Sequence, residues 1–289
     1  MKTVKSFVLS LALSALIGLP LLALPDSVAA SSSELVLDRV QIDVRDQASL
    51  QSGARTFVNQ CMGCHSASLM RYSKLRDIGL TDQQIKDNLL FAGEKVGETM
   101  NAGMTRKDGK EWFGAAPPDL SVEARSRGAE WLYTYLRSFY RDSTRATGWN
   151  NAIFPNVGMP HVLWELQGSR GANIEEIKPV RDEAAGGAHG FARTLISFDA
   201  GGARTEKTEK ITEGHPHEGT EIKLTAATGG KLSQAEYDGQ IADLTAYLTY
   251  MADPSAKTRV RLGTWVLIFL SIFSLLAWWL NREYWKDIK

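Results

Sequence analysis

Cysteine is scarce: the 289 residues contain two, at positions 61 and 64. That is too few for a fold held by disulfides. It is also too few for a zinc site of the finger type, which needs two further ligands at matching spacing. Charge of one sign is equally lacking. Thirty-three Lys and Arg balance thirty-three Asp and Glu, so nothing suggests a nucleic-acid surface. There is no internal repeat. Long hydrophobic runs are rare as well, and the two present sit at opposite ends of the chain.

The N-terminal run reads as a secretory signal over residues 1–30. Lys2 and Lys5 form its positive region, an apolar stretch follows from Phe7 to Leu24, and Val28-Ala29-Ala30 offers small residues for cleavage. An uncleaved anchor is the alternative. Losing residues 1–30 removes two lysines and one aspartate and leaves a net charge of −1. The C-terminal run, Leu262–Leu280, is uncharged, spans about 28 Å as a helix and is flanked by Trp265, Trp278, Trp279 and Tyr284. It is expected to be a single transmembrane helix (262–280), with a periplasmic domain (31–261) before it and a cytoplasmic tail (281–289) after it.

What the chain does hold is Cys61-Met62-Gly63-Cys64-His65. C-x-x-C-H is the attachment signal for c-type haem. Two thiols three positions apart on one helical turn can each form a thioether with one porphyrin, and the next residue presents an imidazole as proximal ligand. A thioredoxin-like pair would need a strand–turn–helix setting, which Val58-Asn59-Gln60 does not supply. One covalent haem c is therefore expected, on Cys61 and Cys64, with His65 as an iron ligand.

Around this motif the pattern predicts a helix from about Ala48, with Leu50, Ala54, Phe57 and Cys61 on one face. A second helix is predicted from the capping box Ser233-Gln234-Ala235-Glu236, striped by Tyr237, Ile241, Leu244, Leu248 and Met251. Gly53, lacking Cβ, is a candidate crossing point. Gly128–Tyr140 is expected as a third helix, and Glu165–Leu232, rich in glycine and charge, as an elaborated loop (165–232). A short strand at Leu195–Asp199 and a turn at Gly201-Gly202 are expected within that loop.

The sixth ligand decides the function. Candidates are Met62, Met70, Met100, Met104, Met159, Met251, His161, His189, His215 and His217. Met159 is preferred because glycine and proline stiffen Asn156-Val157-Gly158-Met159-Pro160, and a floppy loop would leave the iron. Met100, Met104 and His161 are its rivals. Methionine opposite histidine makes a closed site with a raised potential, suited to moving single electrons.

Taken in order, CMGCHSASLMRYSKL at Cys61–Leu75, WFGAAPPDLS at Trp112–Ser121, NVGMPHVLWEL at Asn156–Leu166 and the single C-terminal anchor resemble the cytochrome c1 family, proteobacterial type. That family supplies the haem subunit of ubiquinol–cytochrome c reductase. The resemblance covers nearly the whole mature chain. It implies a mainly α, class I cytochrome c-like haem domain with long loop insertions and one transmembrane helix. It also implies His65 and Met159 as axial ligands, Pro118 packed near the haem, and Arg125 as partner of a haem propionate, with Arg127 as competitor. The implied role is electron transfer, not catalysis by the chain alone. Implied partners are a cytochrome b subunit, a Rieske iron–sulfur subunit and a cytochrome c acceptor, in a dimeric complex at the bacterial inner membrane. A tethered shuttle to an oxidase, or a haem sensor or peroxidase-like protein with an open axial site, are the alternatives.

Overall fold

The computed structural model describes residues 37–182, 188–211 and 217–287; the expected signal segment and His215 lie outside them. The first helix, α1 (Gln47–Thr56), starts because the Asp46 carboxylate accepts from the Ala48 and Ser49 amides. It continues through one wider turn, Phe57–Cys61, closed by the Met62 amide on the Phe57 carbonyl at 3.0 Å. That turn leads directly into the cysteine motif.

Two short strands, β1 (Ala67–Arg71) and β2 (Thr99–Met100), pair antiparallel after the motif. Between them lie a tight turn of helix at Tyr72–Ile78 and α2 (Asp82–Asn88). Next come α3 (Arg106–Phe113), α4 (Glu123–Arg127) and α5 (Ala129–Arg137). The expected third helix thus stops at Arg137, three residues early. The Asn151 side-chain amide donates to the Tyr135 carbonyl at 2.8 Å, and its oxygen accepts from the Ser138 hydroxyl at 3.1 Å. With its last turn capped this way, the chain leaves as β3 (Phe139–Arg141), paired with β4 (Trp149–Asn151).

The segment expected to be an elaborated loop is a second correction. After α6 (Trp164–Gln167) and β5 (Gly168–Ser169), it builds β6 (Ala172–Asp182), β7 (Ala188–Phe198), β8 (Arg204–Ile211) and β9 (Gly219–Leu224). These form an antiparallel sheet in the order β8-β7-β6-β9. Of the expected Leu195–Asp199 strand, Leu195–Phe198 is the end of the eleven-residue β7 and Asp199 opens the glycine turn: its Oδ1 accepts from the Gly201 and Ala203 amides, with Gly202 at φ 92°. Charge pairs, across two strands as in Arg193–Glu175 at 2.7 Å or along one as in Lys178–Glu176 at 2.7 Å, stand where alternation of apolar and polar residues would have announced strands. The base of the sheet packs Ala172 and Phe198 on Tyr140. The chain is therefore a helical domain with a β insertion rather than mainly α throughout.

A short pairing of β10 (Thr228–Gly229) with β5 returns the chain to α7 (Gln234–Ala252), whose capping box at Ser233 and Glu236 is present. α7 crosses α1 at Gly53, where an added Cβ would lie 2.2 Å from the Asp243 carbonyl oxygen. Ser49 Oγ donates to Asp243 Oδ1 at 2.6 Å, and the Phe57 and Tyr247 rings meet at 5.7 Å. The main core gathers here, with Tyr72, Tyr237, Tyr247, Leu75 and Leu244 fully buried. The last helix, α8 (Ala256–Tyr284), contains the expected span 262–280. Its Thr258–Tyr284 stretch is long and apolar enough to cross a membrane and is exposed along its length.

Candidate haem centre

α1 and its wide turn carry Cys61 and Cys64 to one wall of a cavity of about 310 Å³, with His65 beside them. No disulfide joins the two cysteines. Burial, aided by the neighbouring Cys64, pushes the Cys61 thiol up to about 12, and burial also raises Cys64. No cluster of three or more His, Cys, Asp or Glu suited to a metal ion occurs among the described residues.

His65 Nδ1 lies 2.8 Å from the Pro118 carbonyl oxygen. A carbonyl only accepts, so Nδ1 carries the proton and Nε2 keeps its lone pair for a ligand role. Burial lowers the His65 pKa against the opposing pull of the Pro118 carbonyl, Glu123 and Asp119, so the ring is neutral.

Pro118 is held by a stitch between the PPDLS run and Ser66–Leu69. Asp119 Oδ2 accepts from the Ser68 amide and Oδ1 from the Ser121 amide, each at 2.8 Å. Ser121 Oγ accepts from the Leu69 amide at 3.0 Å, and the Leu120 amide donates to the Ser66 carbonyl at 2.8 Å. The PPDLS run is thereby sewn to the residues just after His65. Burial alone would raise the Asp119 pKa, but the hydrogen bonds from Ser121 and Ser68 outweigh it and hold the carboxyl below its ordinary range. The signal was present in the sequence as PPDLS, but its partners lie about fifty residues upstream.

Met159 lines the same cavity. Its loop is fixed at three points. Asn156 takes a left-handed φ of 65° while its amide donates to Asn150 Oδ1 at 2.8 Å. Val157 is buried against Phe139 and Trp149. Gly158 passes so close to α3 that a Cβ would lie 2.7 Å from the Phe113 carbonyl oxygen. The sulfur lies 3.4 Å from the Tyr135 hydroxyl.

Among the described residues the other methionines do not line this cavity. The sulfurs of Met62 and Met100 accept from Tyr72 and Tyr247, and Met70 and Met251 are core. His161 is buried, its Nε2 2.7 Å from Gln167 Oε1 and its ring stacked on Phe139 at 4.8 Å; burial takes its pKa down to about 3. Arg125 and Arg127 are both exposed, but Arg127 lines the cavity and Arg125 does not. Two positions apart on α4 cannot share a face. Arg127 is anchored by Glu123 at 2.5 Å and lies over the Trp131 ring at 4.4 Å.

The donor set therefore fits a haem. Two thiols, an imidazole and a thioether line one cavity, whose walls include Leu132, Leu136, Leu244 and Leu248 and the Arg127 side chain. The model of the Cytochrome C1 family matches residues 40–170 and 230–288. The chain belongs to the cytochrome c1 family. Members of this family carry a covalently bound c-type haem. The gap in the match coincides with the β insertion. A cytochrome c1 of Allochromatium vinosum is 41% identical over 93% of this chain and 96% of its own length. A protein of Nitrosomonas europaea named ammonia monooxygenase gamma subunit is 38% identical with the same coverage of both chains. A cytochrome b/c1 of Bradyrhizobium diazoefficiens is 24% identical over 84% of this chain and 34% of its own length.

Proposed function

We propose that this chain is the electron-carrying haem subunit of a ubiquinol–cytochrome c reductase complex, receiving single electrons from a Rieske iron–sulfur protein and passing them to a cytochrome c. The observation that carries the reading is the single cavity lined at once by both thiols, His65 and Met159. Haem c, when bound, supplies reversible one-electron exchange without making or breaking a bond to substrate. Cys61 and Cys64 would hold it by thioethers, with His65 and Met159 as axial ligands. The Pro118 carbonyl keeps His65 in one tautomer, and the stitch through Asp119 keeps Pro118 in place. The apolar wall keeps water out, which lowers the reorganisation that accompanies a change of charge. Arg127, in place of Arg125, would meet a propionate.

The helix α8 would anchor the domain against a cytochrome b subunit, a pairing supported by the relative whose name joins b and c1. In this reading residues 1–30 export the chain, the haem domain faces the periplasm, and residues 281–289 lie in the cytoplasm of a dimeric inner-membrane complex.

An optical spectrum of the oxidised protein tests the core of it. Wild type should show the weak band of a sulfur–iron bond near the infrared edge, and Met159→Leu should lose it. A wild type that lacks the band and binds carbon monoxide when reduced would instead be a sensor or peroxidase-like protein. A protein that leaves gently solubilised membranes alone, without a b-type cytochrome, would be a tethered shuttle.

A further inference from the structure

The Tyr135 hydroxyl sits 3.4 Å from Met159 Sδ. A thioether has no hydrogen to give, so the phenol is the donor. The sulfur has two lone pairs: one accepts from the phenol, and the other remains for a metal. The phenol is held from several sides. Trp131 stacks on the ring at 4.9 Å and 10°, Phe139 meets it edge-on at 5.1 Å, and the backbone carbonyl of the same residue accepts from Asn151 Nδ2. If the position only needed filling, phenylalanine would serve it without the cost of burying a hydroxyl.

We propose that Tyr135 is a positioning residue for Met159: its hydroxyl fixes which lone pair of the sulfur is offered to the iron and withdraws electron density from that sulfur. Oxidised iron depends on donation from the sulfur more than reduced iron does. A hydrogen bond to the sulfur therefore favours the reduced state and raises the midpoint potential. The inference rests on Met159 as the axial ligand.

The test uses the full-length, haem-loaded protein in detergent, as wild type, Tyr135→Phe, Met159→Leu and a variant with 3-fluorotyrosine placed at position 135. Redox titration and the oxidised optical spectrum are read for each. Tyr135→Phe should keep the sulfur–iron band but shift it. Its oxidised-to-reduced ratio at fixed potential should rise about threefold, or ~28 mV for a one-electron couple. The fluorinated phenol, a stronger donor of unchanged shape, should move the midpoint the opposite way, and it decides the matter if Tyr135→Phe does not fold. Midpoints that match wild type in both Tyr135 variants, while Met159→Leu abolishes the band, overturn the role of Tyr135 and leave the ligand assignment standing. Easier unfolding of Tyr135→Phe would not rescue that role, since filling space would account for it. A wild type without the band overturns both.

Discussion

Replacing Gly53 by alanine puts one methyl group where α1 crosses α7. Its carbon would fall 2.2 Å from the Asp243 carbonyl oxygen, 2.7 Å from Tyr247 Cβ and 2.8 Å from the Asp243 carbonyl carbon. Ordinary contact is about 3.5 Å, so the helices must part by on the order of 1 Å. Backbone atoms cannot rotate out of the way as a side-chain tip could. Overpacking of this kind costs about 1–3 kcal/mol, and the upper end applies here. The better helix propensity of alanine returns about 1 kcal/mol. The net loss is about 2 kcal/mol, or roughly 4–8 °C in Tm for a domain of this size. Gly239, on α7 itself, has nothing within 4 Å of an added Cβ. There the same substitution should stabilise by up to about 1 kcal/mol. Thermal unfolding of the haem-loaded protein, followed by circular dichroism for both variants beside wild type, gives the comparison. Opposite signs are expected. A Gly53→Ala protein that melts at the wild-type temperature, or a Gly239→Ala protein that loses as much as Gly53→Ala, would refute the close-crossing argument.

Two further outcomes follow from the geometry. Asp119→Asn should cost about 1–3 kcal/mol at neutral pH, because the Ser68 and Ser121 amides lose a charged acceptor. The Asp119 carboxyl lies below its ordinary 3.8 in the folded protein, so its contribution is full above that value and is lost as pH falls through the folded value. Urea midpoints from pH 7 down into acid should therefore decline more steeply for wild type than for Asp119→Asn. Excising residues 173–223 and closing the gap with a short Gly-Ser link should leave the haem spectrum unchanged. The ends already meet, with the Gly171 amide on Thr225 Oγ1 at 2.9 Å and the Thr225 amide on the Gly171 carbonyl at 3.1 Å. A deleted protein that no longer binds haem would mean the sheet supports the cavity.

What could be read from the order of residues was whatever is written within a few positions. Cys61-x-x-Cys64-His65 specifies its chemistry by spacing alone. Ser233 and Glu236 start α7 because both halves of the cap lie in one turn, and nineteen uncharged residues from Leu262 need no partner to declare a span. Even Gly53 was legible, since a residue without Cβ on an apolar stripe has few other uses. The choice between Arg125 and Arg127 was not, because both are two steps apart on a short helix and only the placement of α4 against the cavity tells them apart. The β insertion was hidden because charged residues fill its strands, pairing along one strand as Lys178–Glu176 and Lys223–Glu221 do or across two as Arg193–Glu175 does, so no strand carries a clean alternation by itself. The stitch from Asp119 to Ser68 and the hydrogen bond from Tyr135 to Met159 join residues 51 and 24 positions apart. Local sequence sets the helices and carries the haem-attachment motif; only the packed chain decides which distant side chains orient the residues of that motif, because a hydrogen bond acts over about 3 Å of space, whatever the separation along the chain.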